Sequence, residues 1–328
     1  MGITEISAER KRQIRDLIRN GYLVVGMPAE PRSATVDYVR VGKYGGLPWD
    51  VQTQDVVIGC LPVSSVCYGQ CFAAEHANAQ GIEFGRRVNR LFDEVILRDD
   101  FDHLPDEQHW VRQGWNGDPS WNWTNAIRLG QIANSYGRHI VYNTKIFRQP
   151  SDEQWDQLVS IGAELRVAVG ALDVNGSFEN KLEQLLEYRE RGGVAVATII
   201  TSKYRYSDLN DAQDSIVNYL REHDLPACEL PLRASILQGT GELLDASAVE
   251  TDSFRWFGRL FDEELRIPIL CSTNSSYTGL PSGKDSEISG ELLSAVAMDI
   301  TPTFDQLRGG ASGVPSRVGK APKYDGEK

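Results

Sequence analysis

The sequence contains no run of roughly 18 to 20 uninterrupted apolar residues, so no segment reads as a membrane-spanning helix. Its opening stretch, MGITEISAERKRQIRDLIRN, is charged throughout and lacks the apolar centre of a secretory leader. Gly2 is followed by Ile3, Thr4, Glu5 and Ile6, without the Ser or Thr of a myristoylation signal. These absences predict a cytoplasmic protein. Basic residues are the minority, 34 Lys and Arg against 46 Asp and Glu. The net charge of −12 argues against broad nucleic-acid binding, which works by neutralising phosphates. Such an acidic surface keeps a protein solvated, although a basic groove in one cleft remains compatible with it. Histidine is scarce: there are five, and His103 and His109 are spaced for neither one helical face nor a zinc motif. His76 reads as a surface or capping residue. No Walker A sequence and no Gly-x-Ser-x-Gly elbow occurs, and Gly239-Thr240-Gly241 is too short for a dinucleotide fingerprint.

Cysteine is sparse as well, yet unevenly placed. Of five, Cys60, Cys67 and Cys71 fall within twelve residues, while Cys228 and Cys271 stand alone in apolar, strand-like surroundings. An odd count without a leader is a poor disulfide framework. The isolated pair read as small buried hydrophobes. The clustered three read as ligands of an iron–sulfur cluster, as zinc ligands, or as structural or redox thiols without metal. Three thiolates from one loop can hold three irons of a [4Fe–4S] cluster and leave the fourth open. The loop has no C-x2-C pair of the kind zinc sites commonly show.

With 328 residues, 41% hydrophobic and 24% charged, the chain suits one large α/β domain with modest extensions, or two smaller domains. Residues 7–20 read as an amphipathic helix and residues 34–43 as a strand, together an N-terminal extension. From Asp55 a strand–loop–helix pattern repeats. Residues 55–59 (DVVIG) form a short strand ending at Cys60, with helical text from the cysteines to about Arg90. Residues 94–113 contain one or two strands. The loop 116–120 precedes a helix with Leu129, Ile132, Ala133 and Tyr136 on one face. Residues 139–142 read as a strand, Ser151 and Gln154 as a capping box opening a helix, and 165–169 as a strand. A helix bearing Phe178, Leu182, Leu185 and Leu186 closes before Gly192 and Gly193. Residues 194–201 (VAVATIIT) are apolar almost throughout, as a buried parallel strand requires. A helix over 208–223, a strand at 228–232, a helix at 247–261 and a strand at 267–271 follow. The alternation predicts a parallel sheet with right-handed crossovers, doubly wound or curled into a barrel. The Gly/Pro/Lys-rich stretch 309–328 reads as a mobile tail that could fold over a site.

Function in such folds concentrates where strands end. Those positions carry Cys60, then Gly117, Asp118 and Pro119 in the turn NGDPS, then Asn143, Thr144 and Lys145. Ser202 and Lys203, and finally Arg233, occupy the next ones. A glycine lets backbone approach a ligand, and a carboxylate complements an ammonium. Taken alone, NGDPS is also an ordinary turn before a helix. Asp173, Tyr204 or Tyr206, and Tyr277 read as substrate-facing groups. Trp110, Trp115, Trp121 and Trp123 suit either an aromatic pocket or helix packing.

The phrase GCLPVSSVCYGQCFA, closed by Cys71-Phe72-Ala73, resembles the radical S-adenosylmethionine enzymes, and most of all a phage- and bacteria-associated branch whose loop reads GC, a VSPGC-like run and CYA. The spacing here is C-x6-C-x3-C, where the widespread motif is C-x3-C-x2-C. The resemblance spans residues 55–275. It implies a partial (β/α)6-type, TIM-like barrel, with an N-terminal extension over 1–54 and a C-terminal segment with a mobile tail over 276–328. It also implies a [4Fe–4S] cluster on Cys60, Cys67 and Cys71, and S-adenosylmethionine held by Gly117, Asp118, Pro119, Asn143, Thr144, Ser202 and Arg233. The cofactor would be cleaved reductively to a 5′-deoxyadenosyl radical, with electrons from an external flavodoxin- or ferredoxin-like donor. The substrate is left open, and only Cys228 and Cys271 remain for any auxiliary cluster. The rivals are a zinc- or cluster-binding regulatory module and a metal-free barrel lyase or hydrolase acting through Asp118, Lys145 or Lys203.

Overall fold

A computed structural model describes residues 5–25, 37–41, 55–61, 73–74, 77, 81–104, 110–114, 117–174, 178–223, 225, 227–231 and 240–245. Cys67, Cys71, Arg233, Cys271 and Tyr277, the helix expected at 247–261, the strand at 267–271 and the tail at 309–328 lie outside the described residues. In chain order the elements are α1 (Ala8–Val25), β1 (Val57–Ile58), β2 (Val88–Asn89), α2 (Glu94–Asp102), β3 (Trp110–Gln113), α3 (Trp123–Ser135), β4 (His139–Thr144), α4 (Asp152–Ser160), β5 (Glu164–Gly170), α5 (Phe178–Glu190), β6 (Val194–Thr201), α6 (Ser207–Glu222) and β7 (Ala227–Pro231). Among the described residues no helix is long and apolar enough to cross a membrane.

Strands β3 to β7 form one parallel sheet in which every strand pairs with the one before it. A doubly wound sheet needs a reversal of strand order, and none occurs among these five strands. Right-handed crossovers running in a single direction place the intervening helices on one face. Tyr142 of β4 sits in register with Leu165 and, across β5, Ala195. Its hydroxyl donates to the Ala126 carbonyl of α3 at 2.7 Å, and Tyr188 of α5 donates likewise to Ala163 at 2.7 Å. The opposite face carries Asn143, Arg166 and Val196 in one row. It is polar inside: Arg166 donates to Glu164 at 2.6 Å, with both side chains buried. Strand β6, buried on both faces at all but one position, spans the residues its apolar run predicts.

Helices obey their caps. Ser151 and Gln154 form the expected reciprocal capping box at the start of α4. Of the one or two strands expected in 94–113, one is present, β3 at its end, and 94–102 is helical. The Asp93 carboxylate accepts the Val95 and Ile96 amides at 2.9 and 3.3 Å, which closes the first turn. Leu97 and Phe101, one turn apart, then go inward while Val95 stays 78% exposed. Asp100 on the same inward face takes a forked pair from Arg40 at 2.8 and 2.7 Å. The helix expected after the cysteines is present at Ala73, Ala74 and Ala77 but does not run to Arg90. A short 3-10 turn, Phe84–Arg86, ends at Arg87 with φ of 55°, and β2 then pairs antiparallel with β1. In the segment 34–43 the described part shows isolated bridge positions at Tyr38, paired to Leu91, and at Val41, rather than a strand.

Helix α1 buries Ile14 and Ile18 in the same core as the sheet. It lies against the segments that follow β5 and β6. Arg10 stacks over the Tyr206 ring at 3.1 Å and approaches Asp208 at 3.5 Å. Ser7 donates to Asp208 at 3.3 Å, and Arg15 donates to the Val174 carbonyl at 3.3 Å.

Candidate functional site

Because β3 to β7 are parallel, their C-terminal ends share one edge of the sheet. β3 runs into Gly114, whose φ of +97° and position 1.9 Å (as a would-be Cβ) from the Asn143 carbonyl admit only glycine. The Gly114 amide donates to Asp55 at 2.6 Å, which fixes the approach of β1. Three residues on, Gly117 pairs in parallel register with Gly59, and a Cβ there would sit 2.0 Å from the Val57 carbonyl. The cysteine-bearing loop therefore leaves its strand directly beside the turn after β3. Cys60 itself is half-buried, its amide donating to the Phe84 carbonyl at 3.1 Å.

Asp118 is buried and its carboxylate is already engaged. One oxygen accepts the Ser120 amide at 2.9 Å, the Ser120 hydroxyl at 2.5 Å and the Thr144 hydroxyl at 2.7 Å, and the other accepts the Lys145 amide at 2.7 Å. It thus ties the turn to the end of β4. Pro119 opens a 3-10 turn, Pro119–Asn122, where its fixed φ suits the first position. Thr144, buried on the helix side, completes this clamp, and its hydroxyl also accepts the Ile146 amide at 2.8 Å. Asn143 alternates to the opposite face and remains half-buried.

At the end of β6, Ser202 is fully buried. Its backbone is held on both sides by Gln213 of α6, at 2.9 and 3.1 Å. Its hydroxyl has no hydrogen-bond partner in the structure. Beyond β4 and β5 the structure joins residues that the sequence kept apart. Lys145 donates to one oxygen of Asp173 at 2.9 Å and Lys181 of α5 to the other at 3.0 Å, all three being buried. Burial pushes the Asp173 carboxyl up, but the two ammoniums outweigh it and hold the carboxyl below its ordinary range. Tyr204 is buried with its hydroxyl unpartnered; burial, and then the charge on Asp173, push its phenol above the ordinary value. Lys203, by contrast, is exposed, 3.9 Å from Asp245. Asp173 and Tyr204 were legible as residues just past strand ends. Lys181 was not, since a lysine in the first turns of an amphipathic helix reads as solvated.

Trp121 and Trp123 pack, while Trp115 and the side chain of Trp110 lie outside the described residues. Trp123 is buried, donates to the Arg148 carbonyl at 2.7 Å and meets Tyr142 edge-on. Trp121 stacks on Phe147 at 5.0 Å with Arg87 over its other neighbourhood at 4.2 Å. His103 is exposed, bonded to the Asp99 carbonyl at 2.6 Å.

Among the described residues no three His, Cys, Asp or Glu side chains gather as a metal site. Cys60, the one of the three clustered cysteines among the described residues, packs half-buried against the core with its thiol 3.5 Å from the Leu61 carbonyl, at the start of a loop whose entry the Gly59–Gly117 bridge fixes.

No protein-family model and no curated protein matches the chain. Solved structures give partial likenesses. SuiB of Streptococcus suis aligns with a TM-score of 0.30 and 9% identity, covering 47% of this chain and 32% of that one. SuiB bound to S-adenosylmethionine aligns with a TM-score of 0.34 and 9% identity, covering 55% and 39%. This chain thus spans well under half the length of the solved chains it aligns with.

Proposed function

We propose that the chain is a radical S-adenosylmethionine enzyme on a partial (β/α)6-type barrel over residues 55–275. The observation that supports it is the pairing of Gly59 with Gly117. It sets the start of the cysteine loop against the turn after β3, on the edge where Asn143 and Ser202 also end their strands. In this proposal the thiolates of Cys60, Cys67 and Cys71 hold a [4Fe–4S] cluster. When bound, such a cluster supplies the electron for reductive cleavage of S-adenosylmethionine to a 5′-deoxyadenosyl radical that abstracts hydrogen from the substrate.

The chain's own residues bind and orient. Asp118 acts indirectly: engaged with Thr144 and the Lys145 amide, it holds the turn so that the Gly117 backbone is presented to the cofactor's amino group. Pro119 stiffens the same turn. Asn143 offers a carboxamide to ribose or carboxylate, and Ser202 and Arg233 supply donors from the far strands. An external flavodoxin- or ferredoxin-like donor is the required partner.

Anaerobic reconstitution followed by iron and sulfide analysis tests the proposal, with 5′-deoxyadenosine release on dithionite addition as the second measurement. About four irons per chain are expected, falling away in Cys60→Ala, Cys67→Ala and Cys71→Ala. One equivalent of zinc without iron would instead place the chain among metal-binding modules. A metal-free protein whose activity survives all three replacements would make it a metal-free barrel enzyme.

A further inference from the structure

Two strained backbone positions frame one tryptophan. Among the described residues, Arg87 and Ile146 are the non-glycine residues with positive φ, at 55° and 45°. A β-branched residue avoids that region, so the turn after β4 is held there by its surroundings. The Thr144 hydroxyl accepts the Ile146 amide at 2.8 Å, and the Ser120 hydroxyl accepts the Phe147 amide at 3.0 Å. Both strained turns bring a guanidinium to the ring of Trp121. Arg87 lies 4.2 Å from its centroid and Arg148 5.1 Å, while Phe147 stacks on it at 5.0 Å.

Among the described residues, neither guanidinium is in an ion pair or donates a hydrogen bond. The carboxylates nearest in sequence are engaged elsewhere, Glu83 with Arg86 at 2.8 Å and Asp118 within the turn after β3. Two like charges held against one ring repel each other, and a shared anion relieves that repulsion. Arg148 is exposed, and Arg87 and Trp121 are half-buried, so the group opens to solvent. It also lies at the sheet edge where function concentrates. Trp121 follows the turn after β3, Arg148 follows β4, and a Cβ on Gly59 would sit 3.1 Å from the Arg87 nitrogen.

We propose that Arg87 and Arg148, ordered by Trp121, bind a phosphate monoester group of the substrate at this rim. A guanidinium stacked on an aromatic ring keeps its edge N–H groups for forked bonds to an oxyanion. Two unpaired cations match a phosphate monoester, which carries close to two negative charges at neutral pH, whereas a carboxylate neutralises only one of them. The net charge of −12 opposes a long polyanion such as a nucleic acid. S-adenosylmethionine bears a carboxylate and no phosphate, so the site is separate from the cofactor positions and stands without them.

The full chain, before any cluster is built, is titrated calorimetrically with inorganic phosphate and separately with acetate, at constant ionic strength set with chloride. One saturable phosphate site is expected, with acetate weaker by about tenfold or more. Arg148→Gln and Arg87→Gln should each weaken phosphate binding by about tenfold or more. Arg12→Gln removes the same charge from the exposed face of α1 and should bind phosphate as the wild-type chain does. Circular dichroism checks that each variant is folded, and the exposed Arg148 carries the test alone if Arg87→Gln is not. The site is overturned if the wild-type chain shows no saturable phosphate binding or binds acetate as tightly. Unchanged binding in Arg148→Gln, or an equal loss in Arg12→Gln, overturns it as well. The iron count of the reconstituted protein is read without phosphate, so this proposal and the radical S-adenosylmethionine reading fail separately.

Discussion

The hydroxyl of Thr144, the last residue of β4, donates at 2.7 Å to the carboxylate of Asp118 in the turn after β3. A single buried side chain thereby sets the height of two neighbouring strand ends. Asp118→Ala strands the hydroxyls of Ser120 and Thr144 and two backbone amides. A loss of about 3 to 5 kcal/mol in urea unfolding is expected. Thr144→Val should lose about 1 to 2 kcal/mol. If the two losses simply add in the double variant, the clamp does not exist.

Gly117→Ala places a methyl 2.0 Å from the Val57 carbonyl, so the strand carrying Cys60 must move. An overpacking cost of about 1 to 3 kcal/mol follows. Iron incorporation should fall with it, while Gly137→Ala, which is strained by its φ of +68° but whose added methyl meets nothing within 4 Å, should lose some stability and leave iron incorporation unchanged. Equal iron content in both variants would separate the turn from the cysteine loop.

Asp173 gives a pH signature. Its folded pKa is lowered relative to an unfolded value of about 3.9. Its contribution is therefore present above that value and disappears as pH falls through the folded one. The stability gap between wild type and Asp173→Asn should be constant from neutral pH down to about 5 and shrink below about 4. Urea unfolding at successive pH values measures it; a gap that widens in acid would reverse the assignment.

Trp155 of α4 is 1% exposed, its ring 5.3 Å from that of Tyr188 on α5. Trp155→Ala should lose about 3 to 5 kcal/mol, read from chemical denaturation. A loss below 1 kcal/mol would mean that α4 is not anchored there.

Periodic and capped segments could be read from the chain because their cause is local. Ser151 finds Gln154 three residues away, and 194–201 is apolar enough to be buried on both faces. Helix α2 was not legible within 94–113, because Val95, Ile96 and Leu97 are consecutive, while the Asp93 cap and the distant Arg40 support the helix. In the candidate site, the positions beyond strand ends were visible. Their pairings were not. Asp118 meets Thr144 across 26 residues and Lys145 meets Asp173 across 28, distances that only register sets. That Asp118 is internally consumed, whereas Ser202 and Tyr204 keep unused donors, depends on three-dimensional packing and has no counterpart in spacing.

Each sheet strand finds its partner immediately before it, so the sheet can assemble in the order of translation with short closures. Helix α1 cannot. It precedes every strand, yet its docking partners are Val174, Tyr206 and Asp208. Until nearly two-thirds of the chain has been made, Ile14 and Ile18 lack the segments after β5 and β6 on which this helix docks, so its seating waits on the start of α6.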